Sequence, residues 1–320
     1  RQIASHYYPL TGPYASGDPA LIEYQLLLMK YSGIDGVLID WPGAIDLYDY
    51  AKNKANAEAF IARTTAVGLT YAVVYEDQNV NIALGQGAVT DRLAAGQADM
   101  AYARDHYFSQ SNYVRVNGAP LLLVFGPQTF QSPADWQSLF SALPEKPTFL
   151  TLWGESGEAG PAASGEFAWV VENAAQLPSF YAQPPAGTAL GAAYPGFDSF
   201  YAQGGWAGPT WTIAHDGTNT FASTLDQALA AHVSALQLVT WNDYGEGTVI
   251  EPTQELGFSL LTTLQQKLGV NLAQAELELA LKLYNERKLH PDDAARQMQL
   301  DAAFSALAAL RFSEASTLLQ

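Results

Sequence analysis

Cysteine is absent from this chain of 320 residues. Its absence removes disulfides, a thiolate nucleophile and cysteine-ligated zinc together, and leaves the compartment open. Long apolar runs are absent too: none reaches the roughly 18 residues that a membrane-spanning helix needs. Positive charge is scarce. Fifteen Lys and Arg stand against 32 Asp and Glu, a formal net charge of −17. That balance argues against nucleic acid or an anionic membrane as a partner, and it would repel a polyanionic substrate. Histidine is limited to five residues, His6, His106, His215, His232 and His290. None has the close spacing of a His-x-His or His-Glu-x-x-His motif, so no metal is expected unless His6 or His215 lies beside carboxylates. No Gly-x-Gly-x-x-Gly or P-loop marks a nucleotide site, and no cofactor is expected. No Gly-x-Ser-x-Gly elbow is present, although this leaves a Ser-His-Asp triad open. A signal peptide is also missing, and the chain opens on Arg1 rather than Met. The expectation is a trimmed product of a longer precursor, secreted, periplasmic or held at the cell surface.

What is present is a large apolar fraction, 48%, with 12% aromatic and only 15% charged residues. Such a chain can bury a sizeable core and is not disordered. Its low charge density suits a polar, uncharged surface with aromatic-lined grooves, and a neutral oligosaccharide or polysaccharide as partner. The length suits one α/β barrel with an appendage.

Strand-like and helix-like segments alternate. Strands are expected at Ser5–Tyr8, Ile34–Asp40, Leu69–Tyr75, Pro120–Phe125, Thr148–Trp153, Phe167–Val171, Ala189–Tyr194 and Leu236–Trp241. Their centres are near-continuous apolar runs, the mark of a parallel sheet covered on both faces. Between them, Asp18-Pro19 opens a helix that stops at Gly33, with Asp as N-cap and Pro at the first helical position. Further helices are expected over 53–67, 89–108, from Ser132-Pro133 to 143, from a Thr224 cap to 234, and over 253–268. Eight such units predict a (β/α)8 TIM barrel over residues 1–268, with a doubly wound open sheet as the alternative. Residues 269–320 differ: Ala, Leu, Glu and Gln form two helical runs, 271–288 and 292–310, broken at His290-Pro291 with Asp292 as a possible N-cap. They predict a C-terminal α-helical hairpin packed on the barrel by its apolar stripes.

The candidate site gathers at strand ends, which share one face of a barrel. The last strand delivers Trp241, Asn242, Asp243, Tyr244 and Glu246. Two carboxylates three residues apart, in a loop with Gly245 and Gly247, can supply the acid and base of glycosidic bond cleavage. Tyr8, Asp40, Trp41, Glu76, Trp153 and Tyr194 stand at the ends of other strands. Rings suit the apolar face of a sugar, and Asp, Glu and Asn suit its hydroxyls. Taken singly, each has a plainer explanation: an aromatic at a strand end can be core packing, and an acid a solvated loop residue.

Trp241-Asn242-Asp243-Tyr244-Gly245-Glu246-Gly247-Thr248, with Ile250-Glu251-Pro252 after it, resembles the catalytic segment of glycoside hydrolase families 71 and 99. These families contain endo-acting α-1,3-glucanases and endo-α-mannosidases. His6-Tyr7-Tyr8-Pro9, Asp18-Pro19, the run Ile34 to Trp41, and Tyr194-Pro195-Gly196-Phe197 agree in order and spacing. The resemblance covers roughly residues 1 to 265. It implies a (β/α)8 barrel acting on α-linked glycans, with Glu246 as general acid and Asp243 as its partner carboxylate. Asn242 and Tyr244 would orient these groups or touch sugar. Family 99 has Glu where this chain has Asp243. The shorter side chain and the family 71 likeness lean the expectation towards inversion. The rival reading is a non-catalytic glycan-binding barrel, since a fold does not guarantee activity.

Overall fold

In the computed structural model, residues 3–172, 176–231 and 233–320 are described; Arg1 and His232 lie outside them. Seven parallel strands form the sheet: β1 (Gly36–Trp41), β2 (Thr70–Tyr75), β4 (Ala119–Val124), β5 (Thr148–Leu152), β6 (Gly165–Phe167), β7 (Thr188–Ala193) and β8 (Ala235–Leu238), paired in that order. A two-residue strand, β3 (Arg115–Val116), adds antiparallel to β4. Strands β2 and β4 bury nearly every residue, because helices cover one face and the barrel interior the other, whereas β1 and β8 are only partly buried. This is a nearly closed α/β barrel.

The segment Ser5–Tyr8 differs from the expectation of a first strand. It joins no ladder; instead it runs against the segment after β8. Gln254 N–H donates to the Tyr8 carbonyl (2.8 Å), Leu10 N–H to that of Pro252 (2.9 Å), and Pro9 pairs with Thr253. Two adjacent tyrosines and a proline leave little room for a regular ladder, since proline donates no hydrogen bond.

Most helices form where the sequence places them. Helix α1 (Pro19–Tyr31) is capped by Asp18, whose side chain accepts from Ala20 N–H, and ends before Gly33 at φ +81°. Helix α2 covers Tyr50–Val67. The helix expected over 89–108 is α4 (Arg92–Ala103), continued by a π-helical turn at Arg104–Phe108, and a short helix that was not expected, α3 (Gln78–Gly85), precedes it. Asp91 caps α4 through two backbone N–H groups. Helices α5 (Pro133–Phe140), α6 (Ser156–Ala159) and α7 (Leu177–Ala182) follow. Helix α8 (Asn219–Ala230) starts earlier than its expected Thr224 cap. The Thr224 hydroxyl lies inside the helix and bonds both the N–H and the carbonyl of Tyr194 (3.1 and 3.0 Å), pinning the end of β7. Helix α9 covers Ser259–Leu268.

The appendage has three helices rather than two: α10 (Gln274–Leu289), α11 (Ala294–Ala308) and α12 (Phe312–Leu318). Asp293, not Asp292, caps α11 by accepting from Arg296 N–H. This tail covers α1, eleven of whose thirteen residues are buried. Leu277, Ala280 and Leu283 of α10 and Leu300, Ala303 and Leu307 of α11 share one core with Leu21, Leu28 and Tyr31 of α1. Polar contacts lock the same contact. Glu23 of α1, 5% exposed, accepts from Arg63 (2.7 Å) and Arg287 (2.6 Å), and the Tyr31 hydroxyl donates to the Leu307 carbonyl (2.9 Å).

Replacing Arg287 by Met should cost on the order of 1–3 kcal/mol, because Glu23 stays buried with one cation instead of two. Urea denaturation of the intact chain measures it; a variant as stable as the parent would show that Arg63 alone satisfies Glu23.

Candidate active site

Parallel register brings the acids together. In the β1–β2 ladder Asp40 is opposite Val74 and Trp41 opposite Tyr75, and Glu76 N–H donates to the Trp41 carbonyl (3.0 Å). Asp40 and Glu76 therefore lie on the same face of neighbouring strands, two residues apart in register. The loop after β8 brings Asp243 and Glu246 to the same end, where the charge of Asp243 acts on both Asp40 and Glu246. Water reaches Asp40 and Asp243, yet protein crowds around both, as expected on the floor of a concave barrel mouth.

Crowding sets the acidities. Burial, followed by the Asp40 charge, pushes Glu76 up to about 8, against a hydrogen bond from Gln78 Nε2 (2.7 Å). Asp40 is pushed up to about 6 by burial and then by Asp243. Glu246 is pushed up to about 7 by burial and then by Asp243, while a hydrogen bond from the Tyr201 hydroxyl (3.0 Å) favours its charged form. Asp243 is raised by burial, but the backbone N–H of Glu246 (2.9 Å) supports its carboxylate. One end of the barrel thus holds a carboxyl that is half protonated near neutrality beside one better stabilised as an anion.

The loop that carries Asp243 and Glu246 is fixed on three sides. At its base, Asp243 N–H donates to the Thr240 hydroxyl (2.9 Å), and the Thr240 and Thr248 hydroxyls meet at 2.9 Å. On its outer side, the segment after β7 pairs with it: Asp198 N–H donates to the Glu246 carbonyl and Phe200 N–H to that of Gly245 (2.9 and 2.8 Å). Close approach there needs Gly247, whose φ is +69° and whose Cβ would fall 2.7 Å from the Asp198 carbonyl oxygen. On the inner side, Glu251, 3% exposed, accepts from the hydroxyls of Tyr244 and Tyr14 (2.6 Å each) and from Gln25 Nε2 (2.9 Å). Asn242 Nδ2 donates in turn to the Tyr14 hydroxyl (3.3 Å). Burial raises the Glu251 pKa, and these neutral donors oppose the rise.

The remaining sequence candidates divide. Asn242 is exposed at the site, and Tyr244 is bound to the Glu251 clamp. Tyr8 is half-buried and held by its backbone, with Glu255 accepting from its N–H (3.0 Å). Trp153 is half-buried, edge-on to Phe180, and Trp241 is half-buried against the α1 core. Trp41 and Tyr194 do not offer ring faces to a ligand. They are 1% and 0% exposed, and Trp41 packs among Tyr75, Tyr102 and Tyr107. An aromatic that ends a strand on its outward side enters the helix layer, not the barrel mouth. Tyr201, Tyr14, Gln25 and the role of Glu251 were not foreseen. Of these only Glu251 carried a signal, as the acid of Ile250-Glu251-Pro252. Among the described residues no three His, Asp or Glu side chains form a set able to hold a metal. His6 lies 3.7 Å from Asp198, and His215 is buried against the Tyr7 ring at 4.6 Å.

No protein-family model matches this chain, and no curated protein does. Solved structures do. The chain is similar to the GH99 endo-alpha-mannosidase from Bacteroides thetaiotaomicron, with 18% identity and a TM-score of 0.64 over 85% of this chain and 86% of that one. The same enzyme in complex with bis-tris-propane gives 17% identity and a TM-score of 0.64 over 87% and 90%. A glycoside hydrolase-like protein gives 14% identity and a TM-score of 0.64 over 83% and 90%. The likeness establishes a shared fold, the barrel expected from the sequence.

The raised carboxyls have a consequence for stability. A glutamate whose native pKa lies above the usual 4.5 binds its proton more tightly folded than unfolded. Its contribution is complete below about pH 4.5 and is lost as pH rises through the native value. For Glu246 and Glu76 that loss runs from about 4.5 and is complete above about 7 and about 8. The urea midpoint should therefore carry a decline across this window, and Glu76→Gln should flatten it. An unchanged slope in that variant would place Glu76 near its ordinary pKa.

Proposed function

We propose that the protein is a glycoside hydrolase acting on a neutral, α-linked glycan from within the chain, with Glu246 and Asp243 as its acid and base. The carrying observation is the pairing of a carboxyl pushed to about 7 with an anion-supported carboxylate at the same end of the barrel. Glu246 gives its proton to the glycosidic oxygen as the bond from that oxygen to the anomeric carbon breaks. The leaving sugar departs as an alcohol. Asp243 takes a proton from the attacking water, or from a substrate hydroxyl that attacks first. Tyr201 holds Glu246 in place and stabilises its anion after the proton has gone. Asp40, Glu76 and Asn242 face the same space and suit sugar hydroxyls.

The net charge of −17 favours a neutral substrate. The likeness in fold to an endo-alpha-mannosidase supports α-linkage and internal cleavage. Asp243 is one methylene shorter than glutamate, which widens the gap for water and favours inversion. NMR of the first-formed sugar checks this: release of the substrate's own anomeric configuration would show retention.

Glu246→Gln should lower kcat on an α-glucan or α-mannan by about 10²–10⁴-fold with the fold intact. In the parent, kcat/KM should fall on the alkaline side as Glu246 loses its proton near 7. A variant that turns over like the parent would remove Glu246 from the mechanism. Binding without turnover in the parent would make this a glycan-binding barrel.

A further inference from the structure

Two aromatic side chains stand out of the described surface, Tyr48 and Trp206, each 73% exposed; the other large exposed apolar residues are Leu and Met. One exposed ring calls for no explanation. These two lie on loops after β1 and β7, at the same end of the barrel as the acids, and each is tied to a different carboxyl pair.

Tyr48 is held outward at φ +48°, a left-handed conformation that is costly for a bulky side chain and persists only where the surroundings impose it. Its hydroxyl accepts from Gln86 Nε2, and its ring stands edge-on to Tyr50 at 5.8 Å. Tyr50 donates to Asn79 (3.1 Å), and after burial and Tyr48 the charge of Glu76 is the next cause raising its pKa. Tyr48 therefore packs on the ring that feels the charge of Glu76.

Trp206 is fixed on the other side. Its backbone N–H donates to the carbonyl of Tyr201 (2.8 Å), whose hydroxyl holds Glu246. Gly204 N–H donates to the Phe200 carbonyl (2.8 Å), and the Ser199 hydroxyl closes the loop on the Pro209 carbonyl (3.1 Å). Residues 202–210 are all exposed, and 199–214 contain no Asp, Glu, Lys or Arg in a chain of net charge −17. An uncharged, hydrogen-bonded loop with an indole at its tip suits a neutral ligand with an apolar face, which a pyranose ring has.

We propose that Tyr48 and Trp206 are two stacking platforms for sugar rings of a single neutral glycan chain, one on each side of the carboxyls. Around the nearly closed barrel β8 lies between β7 and β1, and its loop carries Asp243 and Glu246, so a ligand touching both rings passes these acids. The substrate is then the interior of a polysaccharide, not a chain end or a small glycoside. This rests on the glycan reading of the site but not on hydrolysis.

The test uses the full chain carrying Glu246→Gln, so that bound glycan is not consumed. Calorimetry and tryptophan fluorescence follow binding of linear α-1,3-gluco-oligosaccharides and α-mannan oligosaccharides, from disaccharide to long oligomer. The expected result is tighter binding of the long oligomer in one series. Trp206→Ala and Tyr48→Ala should each weaken that binding by about tenfold, with disaccharide binding unchanged, and Trp206→Phe should keep most of it. Equal effects on short and long oligomers would overturn the proposal. So would unchanged affinity in both Ala variants, or no binding in either series. Turnover remaining in Glu246→Gln would remove Glu246 as the acid without touching the platforms.

Discussion

The parallel ladder between β1 and β2, from Gly36–Thr70 to Trp41–Tyr75, carries Asp40 and Glu76 to one face at the same end of the sheet, two residues apart in register, where the charge of Asp40 acts on Glu76. The loop after β8 adds Asp243 and Glu246 to the same end. No Lys, Arg or His is among the groups acting on any of the four. Like charges held close in a partly dry space cannot all ionise, so protons stay on some of them. The hydrogen-bonded sheet supplies the rigidity that makes this crowding permanent.

Behind the loop the same chemistry recurs at Glu251. A buried acid without a cation would be costly, and three neutral donors, Tyr14, Tyr244 and Gln25, offset that cost. The donors come from the N-terminal segment, α1 and the loop itself. One side chain thus ties three distant parts of the chain to the place where Asp243 and Glu246 sit. With an aliphatic residue there, the two hydroxyls would have no common acceptor, and the loop would lose its inner support.

Much of this was legible in the sequence. Apolar runs at 37–39, 71–74 and 121–124 could only be strands of a covered sheet, and Asp18-Pro19 announced α1. The segment Ser5–Tyr8 looked equally strand-like, because alternation of residue types does not reveal whether a partner strand is in register. The helix over 89–108 reached its true end, whereas α3 at Gln78–Gly85 was missed because eight residues are too few for a helical period to show. Strand-end aromatics were the weakest part. Trp41 and Tyr194 are of the same residue types as a sugar platform, and only the side of the strand they occupy sends them into the core. Trp206 lies in a loop without periodicity, and Tyr201 sits 45 positions from Glu246, so neither left a local trace.

The covering of α1 by the tail sets an order of events during synthesis. Helix α1 leaves the ribosome before any strand of the sheet, with an apolar surface meant for almost every side. The partners of Tyr31 and Glu23 lie 276 and 264 positions later. Until those residues are made, α1 has no finished surface to rest against, and its leucines remain available to other chains. Contacts this long in sequence favour slow folding and leave the nascent chain open to aggregation. A chaperone that shields an early hydrophobic helix would act on this protein at α1.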